Sequence, residues 1–356
     1  MKLRKIEIKN YKIFKDFELD LTNNGITQNL VVIAGINGSG KTTLLRDIIF
    51  DFFANERING DTNISFEYFN NNSNKLEILS FDKESLQDNQ INTHGYIEFD
   101  KFKIFYLKAG EINQKKSKEI ILDFIDKLIY QKDKKSSEAY EIVQKILQDL
   151  FYDFDIQISF NGIGQNRDVY FQNNDKKQIK IEELSSGEQE LITKCFSLYL
   201  AEIKDSIILV DEPEGSMHPN WQNRIVTIYQ KLANENNNQI LLATHSPHII
   251  SSVTKEQIRV LIKEETKIRT IYNFSGSYGW RIDKILLEIF RMTTLRTPMI
   301  EKEISILKRQ ILNNEFTDNE FINKFSYLEK MLGYDDIDLT MLRFEKKIRE
   351  KQNEKN

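Results

Sequence analysis

The chain of 356 residues contains one cysteine, Cys195. No disulfide can form within it, and no cysteine-based zinc site can be assembled. That scarcity suits a reducing cytoplasm. Cys195 shares a helical apolar stripe with Leu191 and Leu198 and reads as a core residue. Long hydrophobic runs are also missing. Nothing approaches the ~20 apolar residues that span a bilayer, so no membrane segment is expected. The start, Met1-Lys-Leu-Arg-Lys-Ile-Glu-Ile-Lys9, is charged and alternating and lacks the apolar core of a signal peptide. There is no excess of positive charge either. The net charge is −4, so any binding to nucleic acid requires a local basic patch. Internal repeats and sustained heptads are absent. The 40% hydrophobic and 29% charged shares are those of an ordinary soluble protein.

What is present begins with alternation. Leu3, Ile6 and Ile8 stand against Arg4, Lys5 and Lys9, and Phe17, Leu19 and Leu21 alternate again. Two paired strands joined by a turn over residues 10–15 are expected. Leu30 to Ala34 is an apolar, β-branched run suited to a buried parallel strand. It feeds a glycine loop, and residues 42–53 read as the helix behind it. Residues 55–180 mix β-like pieces (near 64–66, 76–78, 96–99, 104–107, 156–160 and 169–171) with helices at 118–130 and 136–151. A helix at 188–203, buried strands at 207–210 and 240–243, and a helix at 220–233 follow. Past Ser246 helical signals resume, with helices expected near 281–291, 298–313, 318–332 and 336–351. The expected fold is α/β: a nucleotide head in two parts, 1–54 and 181–278, with an inserted β-subdomain and helical lobe at 55–180. A helical region at 279–356, suited to docking a partner, completes it.

Five motifs follow in one order. Gly35-Ile-Asn37-Gly38-Ser39-Gly40-Lys41-Thr42 fits G-x-x-x-x-G-K-[ST] without a mismatch, and Thr43 continues into the helix. Backbone N–H groups of such a loop close around a phosphate, Lys41 neutralises the β- and γ-phosphates, and the Thr42 hydroxyl reaches Mg²⁺. Leu184-Ser185-Ser186-Gly187-Glu188-Gln189 opens a helix, where a hydroxyl, an amide and the helix N-terminus can face an anion. Asp211 ends an apolar strand and supplies a second Mg²⁺ contact. Glu212 beside it can polarise an attacking water. Glu214-Gly-Ser-Met217-His218-Pro219 reads as an inter-subunit loop that His218 shapes. His245, one of four histidines, follows the next strand, where a neutral imidazole can bond the γ-phosphate and the water.

In this order the motifs resemble those of ABC-type ATPases, in the SMC/RecF/OLD-like branch of the AAA proteins. The resemblance covers residues 1–50 and 181–250 well and the middle loosely. It implies a P-loop ABC-ATPase head, ATP and Mg²⁺ as ligands, and homodimers or higher homo-oligomers. Ser185, Ser186, Gly187 and Glu188 of one subunit would reach across ATP to Lys41, Asp211 and Glu212 of another. It also brings Lys12 near the nucleotide. Met217 stands where leucine is usual, a volume-conserving change. The family's Q-loop glutamine is open between Gln87 and Gln90, which are candidates by order alone.

Only 144 residues separate Lys41 from Ser185, too few for a long coiled-coil arm. Beyond His245, the acidic pair Asp335-Asp336 lies outside the strand–loop setting of a Toprim nuclease, so no internal nuclease is expected. The stretch from Tyr278 to Arg343 resembles the tail of defence-associated ATPases of the Septu (PtuA-like) anti-phage type, which implies a separate HNH nuclease as partner. The leading reading is an ATP-gated switch subunit of such a complex. A RecF-like repair ATPase is the alternative, with Lys115, Lys116, Lys118 and the run Lys132 to Lys135 as a basic face for DNA. An importer's ATPase subunit and a binding-only protein are less favoured.

Overall fold

The computed structural model describes residues 2–55, 59–70, 75–82, 103–108, 117–154, 156–201, 203–215 and 217–353. Gln87, Gln90, Lys115, Lys116, the expected strand near 96–99 and the Cys195 side chain lie outside the described residues. The chain divides into two units, Met1–Ile285 and Leu286–Asn356.

In the first unit β1 (Lys2–Tyr11) and β2 (Phe14–Asp20) pair antiparallel, with Ile6 opposite Leu19 and Ile8 opposite Phe17. Lys12, at φ 50°, makes the turn tighter than the sequence suggests. Leu3 and Ile6 both face the core although their odd spacing would put them on opposite faces. A register shift between Leu3 and Lys5 against the neighbouring strand reconciles the two. After the short ribbon β3 (Thr22–Asn23) and β4 (Ile26–Thr27) comes β5 (Leu30–Ala34), buried at every position. Helix α1 follows the glycine loop: Thr43–Phe50 has π-type spacing and runs on into Asp51–Asn55. β6 (Asp61–Asn70) and β7 (Lys75–Phe81) extend the first sheet in the order β2-β1-β6-β7.

β8 (Ile104–Lys108) belongs instead to the central sheet. Next come α2 (Ser117–Asp126), α3 (Ser136–Phe154) and a small sheet of β9 (Ile158–Ile163), β10 (Val169–Asn173) and β11 (Gln178–Lys180). Then follow α4 (Ser186–Ala201), β12 (Ile207–Asp211), α5 (Pro219–Glu235), β13 (Gln239–Thr244) and the short α6 (Pro247–Ser251). The antiparallel pair β14 (Ile258–Glu264) and β15 (Lys267–Ile271) closes the central sheet, in the order β15-β14-β5-β13-β12-β8. The helical reading past Ser246 misses this pair. Its signal was present in Ile258, Val260, Leu261 and Ile262, but Arg259 interrupts the apolar run. That arginine is buried and donates to the carbonyls of Asp20, Thr22, Glu256 and Ile258.

Two buried amides tie the layers together. The Gln239 Oε1 accepts from the Leu3 N–H at 2.6 Å, and its Nε2 donates to the Leu3 and Gln28 carbonyls at 2.8 and 3.2 Å. Asn238 accepts from the Ser206 N–H and donates to the Ile203 and Leu232 carbonyls. In the lobe, Asp168 takes hydrogen bonds from Lys118 and Lys180, which hold its carboxyl down at about 2. The second unit is built from α7 (Ile285–Ile289), α8 (Pro298–Leu312), α9 (Asn319–Leu332) and α10 (Ile337–Asn353), with Leu307, Ile311, Phe321, Leu328 and Leu339 at the centre of its core.

Two outcomes test this account. Gln239→Ala strands the Leu3 amide and carbonyl and leaves a cavity, so denaturant unfolding should show a loss of about 2–4 kcal/mol. Asp168 titrates below its ordinary value, so its contribution to stability is complete above about pH 4 and is lost as pH falls through about 2. Lys118→Met should therefore move the onset of acid unfolding, followed by circular dichroism, to higher pH.

Candidate functional site

The parallel register decides where the loops emerge. Ala34 of β5 lies opposite Thr244 of β13, and Ala243 lies opposite Asp211 of β12. The three strands thus end at one level. The loops beginning at Gly35, Glu212 and His245 leave the same edge, where parallel α/β sheets bind ligands.

The glycine loop is held by packing as well as by conformation. A Cβ on Gly35 would lie 2.8 Å from the Leu261 carbonyl of β14, and Gly40, at φ 87°, sits against the Phe14 ring. Lys41 is buried and donates from Nζ to the carbonyls of Gly35 at 2.7 Å and Ile36 at 3.1 Å. Burial lowers its pKa, while the charges of Glu212, Asp211 and Glu214 act in the opposite direction. Ser39 is fully buried, and its hydroxyl has no hydrogen-bond partner among the described residues. A cleft of about 300 Å³ lies over the loop, lined by Asn37, Gly38, Lys41, Thr42 and Thr43, with Ile13 and Glu212.

At the sheet edge the Thr42 hydroxyl donates to Asp211 Oδ2 at 2.7 Å, and the Tyr106 hydroxyl of β8 donates to the same oxygen at 3.1 Å. Asp211 is 1% exposed, and its Oδ1 has no partner among the described residues. A hydroxyl and an orphaned carboxylate oxygen side by side fit Mg²⁺, a hard cation that keeps most of its waters and shares phosphate oxygens with a substrate. Among the described residues there is no cluster of three or more histidine, cysteine or acidic side chains that would suit a metal held by protein ligands alone.

Glu212 has φ 55°, a left-handed conformation that costs a non-glycine residue on the order of 1–2 kcal/mol. Its N–H donates to the Ala243 carbonyl at 2.8 Å, and its side chain turns into the cleft. His245 Nδ1 lies 3.5 Å from Glu212 Oε1 and also 3.5 Å from Glu214 Oε1. Glu214 is buried, accepting from the Thr244 hydroxyl at 2.6 Å and the His245 N–H at 3.1 Å. The Ser246 hydroxyl donates to Gln222 Oε1 and the Gln222 amide to the Met217 carbonyl, so the loops after β12 and β13 form one hydrogen-bonded body. Met217 is buried, and His218 caps α5 by accepting from the Asn220 N–H.

Lys41, Thr42, Asp211, Glu212 and His245 are thus brought together, with Gly35, Gly38, Ser39 and Gly40 shaping the loop. Lys12 is turned to Asp47 of α1, with which it pairs at 2.5 Å, while its neighbour Ile13 lines the cleft. Ser185 to Glu188 do not line this cleft. They form a capping box: Ser185 donates from its N–H and hydroxyl to Glu188 Oε2 at 2.8 and 2.7 Å, and the Glu188 N–H returns to the Ser185 hydroxyl. Gly187 packs against the Trp221 ring of α5.

The sequence reading missed the pair of half-buried Glu190 and buried Lys194 on α4, 2.8 Å apart. Lys194 also donates to the Pro213 carbonyl at 2.8 Å, and a Cβ on Gly215 would collide with Glu190 Oε1. The helix behind Ser185 is thereby locked to the turn that carries Glu212 and Glu214. The spacing of four on an otherwise apolar helix was the available signal.

The family model described as "AAA domain, putative AbiEii toxin, Type IV TA system" matches residues 74–251, and a second, "AAA ATPase domain", matches residues 1–86. The chain is 26% identical over 310 residues to the "Retron Vc95 probable ATPase" of Vibrio cholerae serotype O1 biovar El Tor, covering 82% of this chain and 58% of that protein. It is 24% identical over 206 residues to the Septu protein PtuA of Bacillus thuringiensis, covering 53% and 51%. The chain thus spans little more than half the length of these relatives. Among solved structures, the SMC head domain from Thermotoga maritima superimposes with a TM-score of 0.50 at 16% identity, covering 77% of this chain and 100% of that one, a likeness of fold. With the first model matching half of its length, the chain belongs to the AAA domain family that this model describes.

Proposed function

We propose that this chain binds ATP with Mg²⁺ and hydrolyses it between two copies of itself. On this reading it is the cytoplasmic switch subunit of a prokaryotic anti-phage complex whose effector, an HNH-type nuclease, is a separate protein. The observation that carries the ATPase half is the convergence of Lys41, Thr42, Asp211, Glu212 and His245 at one sheet edge, with an orphaned Asp211 oxygen beside the Thr42 hydroxyl. The defence half draws on similarity to the retron and Septu proteins. The helical region at 279–356 is the proposed docking element. No described helix is long and apolar enough to cross a membrane.

The loop amides and Lys41 bind the phosphates, and Lys41 neutralises charge that builds on them. Thr42 and Asp211 would hold Mg²⁺, which when bound would polarise the terminal phosphate. Glu212 orients and deprotonates the attacking water, its left-handed backbone aiming the carboxylate away from Asp211 and into the cleft. Glu214 holds the backbone of His245, and the imidazole, facing two carboxylates, orients the reacting groups. Ser185, Ser186, Gly187 and Glu188 close the site from a second copy. They do not line the cleft of their own chain, which leaves them available to such an arrangement. DNA binding is the weaker reading, because Lys118 is occupied by Asp168 and Glu182, although Lys132 to Lys135 are exposed.

Lys41→Ala should weaken ATP binding at least about 100-fold, and Glu212→Gln should bind ATP normally while turnover falls about 10²–10⁴-fold. Calorimetric titration with ATP and a phosphate-release assay separate the two; unchanged turnover in Glu212→Gln would remove that residue as base. Purification of the tagged chain with its genomic neighbours should recover a nuclease in a stable complex. Recovery of the chain alone, holding duplex DNA only with ATP, would replace the switch reading with the repair-type one.

A further inference from the structure

Two elements bring a hydroxyl to Asp211. Thr42 comes from the start of α1 and Tyr106 from β8, at 2.7 and 3.1 Å, and both donate to the same oxygen, Oδ2. Tyr106 belongs to none of the five motifs, and the parallel register accounts for its place. Tyr106 lies opposite Leu209, and Lys108 lies opposite Asp211. Side chains alternate along a strand, so Leu209 and Asp211 share a face, and Tyr106 shares it with them. A tyrosine is long enough to reach the carboxylate two residues further on. Its ring is braced by Phe50 of α1, with centroids 5.8 Å apart and planes at 48°. Thr42 caps the helical segment that ends in Phe50, so one helix supports both hydroxyls.

We propose that Tyr106 is a positioning residue for the metal and that it sets which cation the site accepts. This role rests on the reading above, that Mg²⁺ binds beside Thr42 and Asp211. An ionised carboxylate has about four lone-pair sites, shared equally by its two oxygens. In Asp211 two donors fill Oδ2, while Oδ1 is buried with no partner among the described residues. With Thr42 alone the carboxylate could swing and keep its one hydrogen bond. A second donor converging on the same oxygen pins the carboxylate plane and leaves Oδ1 as the oxygen that would meet a cation or one of its waters. A single acceptor suits Mg²⁺, which keeps most of its octahedral water shell. It does not suit Ca²⁺, which takes about six to eight oxygens and often grips a carboxylate by both of its own. The phenol therefore favours the smaller ion by denying bidentate contact. It acts through Asp211, and no contact of Tyr106 with the cation or the nucleotide is needed.

The test uses the full chain saturated with ADP, so that neither turnover nor ATP-driven pairing enters the measurement. Mn²⁺, an octahedral stand-in for Mg²⁺, is titrated by electron paramagnetic resonance, and Ca²⁺ by competition against it. Tyr106→Phe removes one oxygen atom from a half-buried ring and should leave the melting temperature of the metal-free chain unchanged. Mn²⁺ affinity should fall about tenfold or more and Ca²⁺ affinity by less than about twofold, because the freed Oδ2 admits the bidentate contact that Ca²⁺ uses. ADP affinity without metal should not change. Phe50→Leu, which keeps the phenol and removes its brace, should give a smaller loss in the same direction. Unchanged Mn²⁺ affinity in Tyr106→Phe overturns the proposal. So does an equal loss for Mn²⁺ and Ca²⁺, or weaker ADP binding without metal, since general damage to the site produces either. Asp211→Ala separates this role from the reading beneath it. If that variant binds Mn²⁺ as the wild type does, the metal lies elsewhere and both fail. If it loses Mn²⁺ while Tyr106→Phe binds normally, the tyrosine's role alone fails.

Discussion

The constraint on which the rest of the structure depends is the common register of three parallel strands. Ala34, Thr244 and Asp211 end β5, β13 and β12 at one level, and each strand is buried along its whole length. Such strands cannot slip by one residue without turning every apolar side chain to the wrong face. The positions of Lys41, Glu212 and His245 are therefore set by hydrophobic packing well below them. The buried amides Gln239 and Asn238 fasten the other end of β13 to β1 and to the connection ahead of β12, so the middle strand is held from both sides.

On that base the site accepts local costs. Glu212 occupies a left-handed conformation, Asp211 keeps an oxygen without a partner among the described residues, and Glu214 is a carboxylate buried in the loop body. Each would weaken an isolated turn. Each is tolerated because neighbours over-determine it: the Ala243 carbonyl for Glu212, Thr42 and Tyr106 for Asp211, and Thr244 with the His245 amide for Glu214. The Glu190–Lys194 pair extends the same logic to α4. It gives the helix behind Ser185 a rigid mechanical connection to the turn bearing Glu212. A buried pair of this kind contributes little net stability but strongly resists being separated.

The C-terminal unit follows a different principle. Its core is small and lies between amphipathic helices, and α10 is apolar on two sides. One side was legible in the sequence as ordinary helical periodicity. The other could not be told from core until the fold showed which face Leu339 and Leu342 occupy.

The sequence by itself determined the glycine loop, the strand-end carboxylates, the histidine after the next strand and the helical character of the C-terminal region. Local patterns suffice there, because a glycine loop between a β-branched strand and a helix has few alternative folds. It did not disclose the β14–β15 pair, where a buried Arg259 interrupts an otherwise apolar run, nor that β8 joins the central sheet, which depends on a pairing with β12 about a hundred residues away. Tertiary structure alone decided that Tyr106 meets Asp211, that Glu214 stands behind His245, that Lys12 turns to Asp47 and that Ser185 to Glu188 stay outside their own chain's cleft. These are contacts between side chains distant in sequence, or the absence of such contacts. No periodicity encodes them, because they depend on which strands lie side by side.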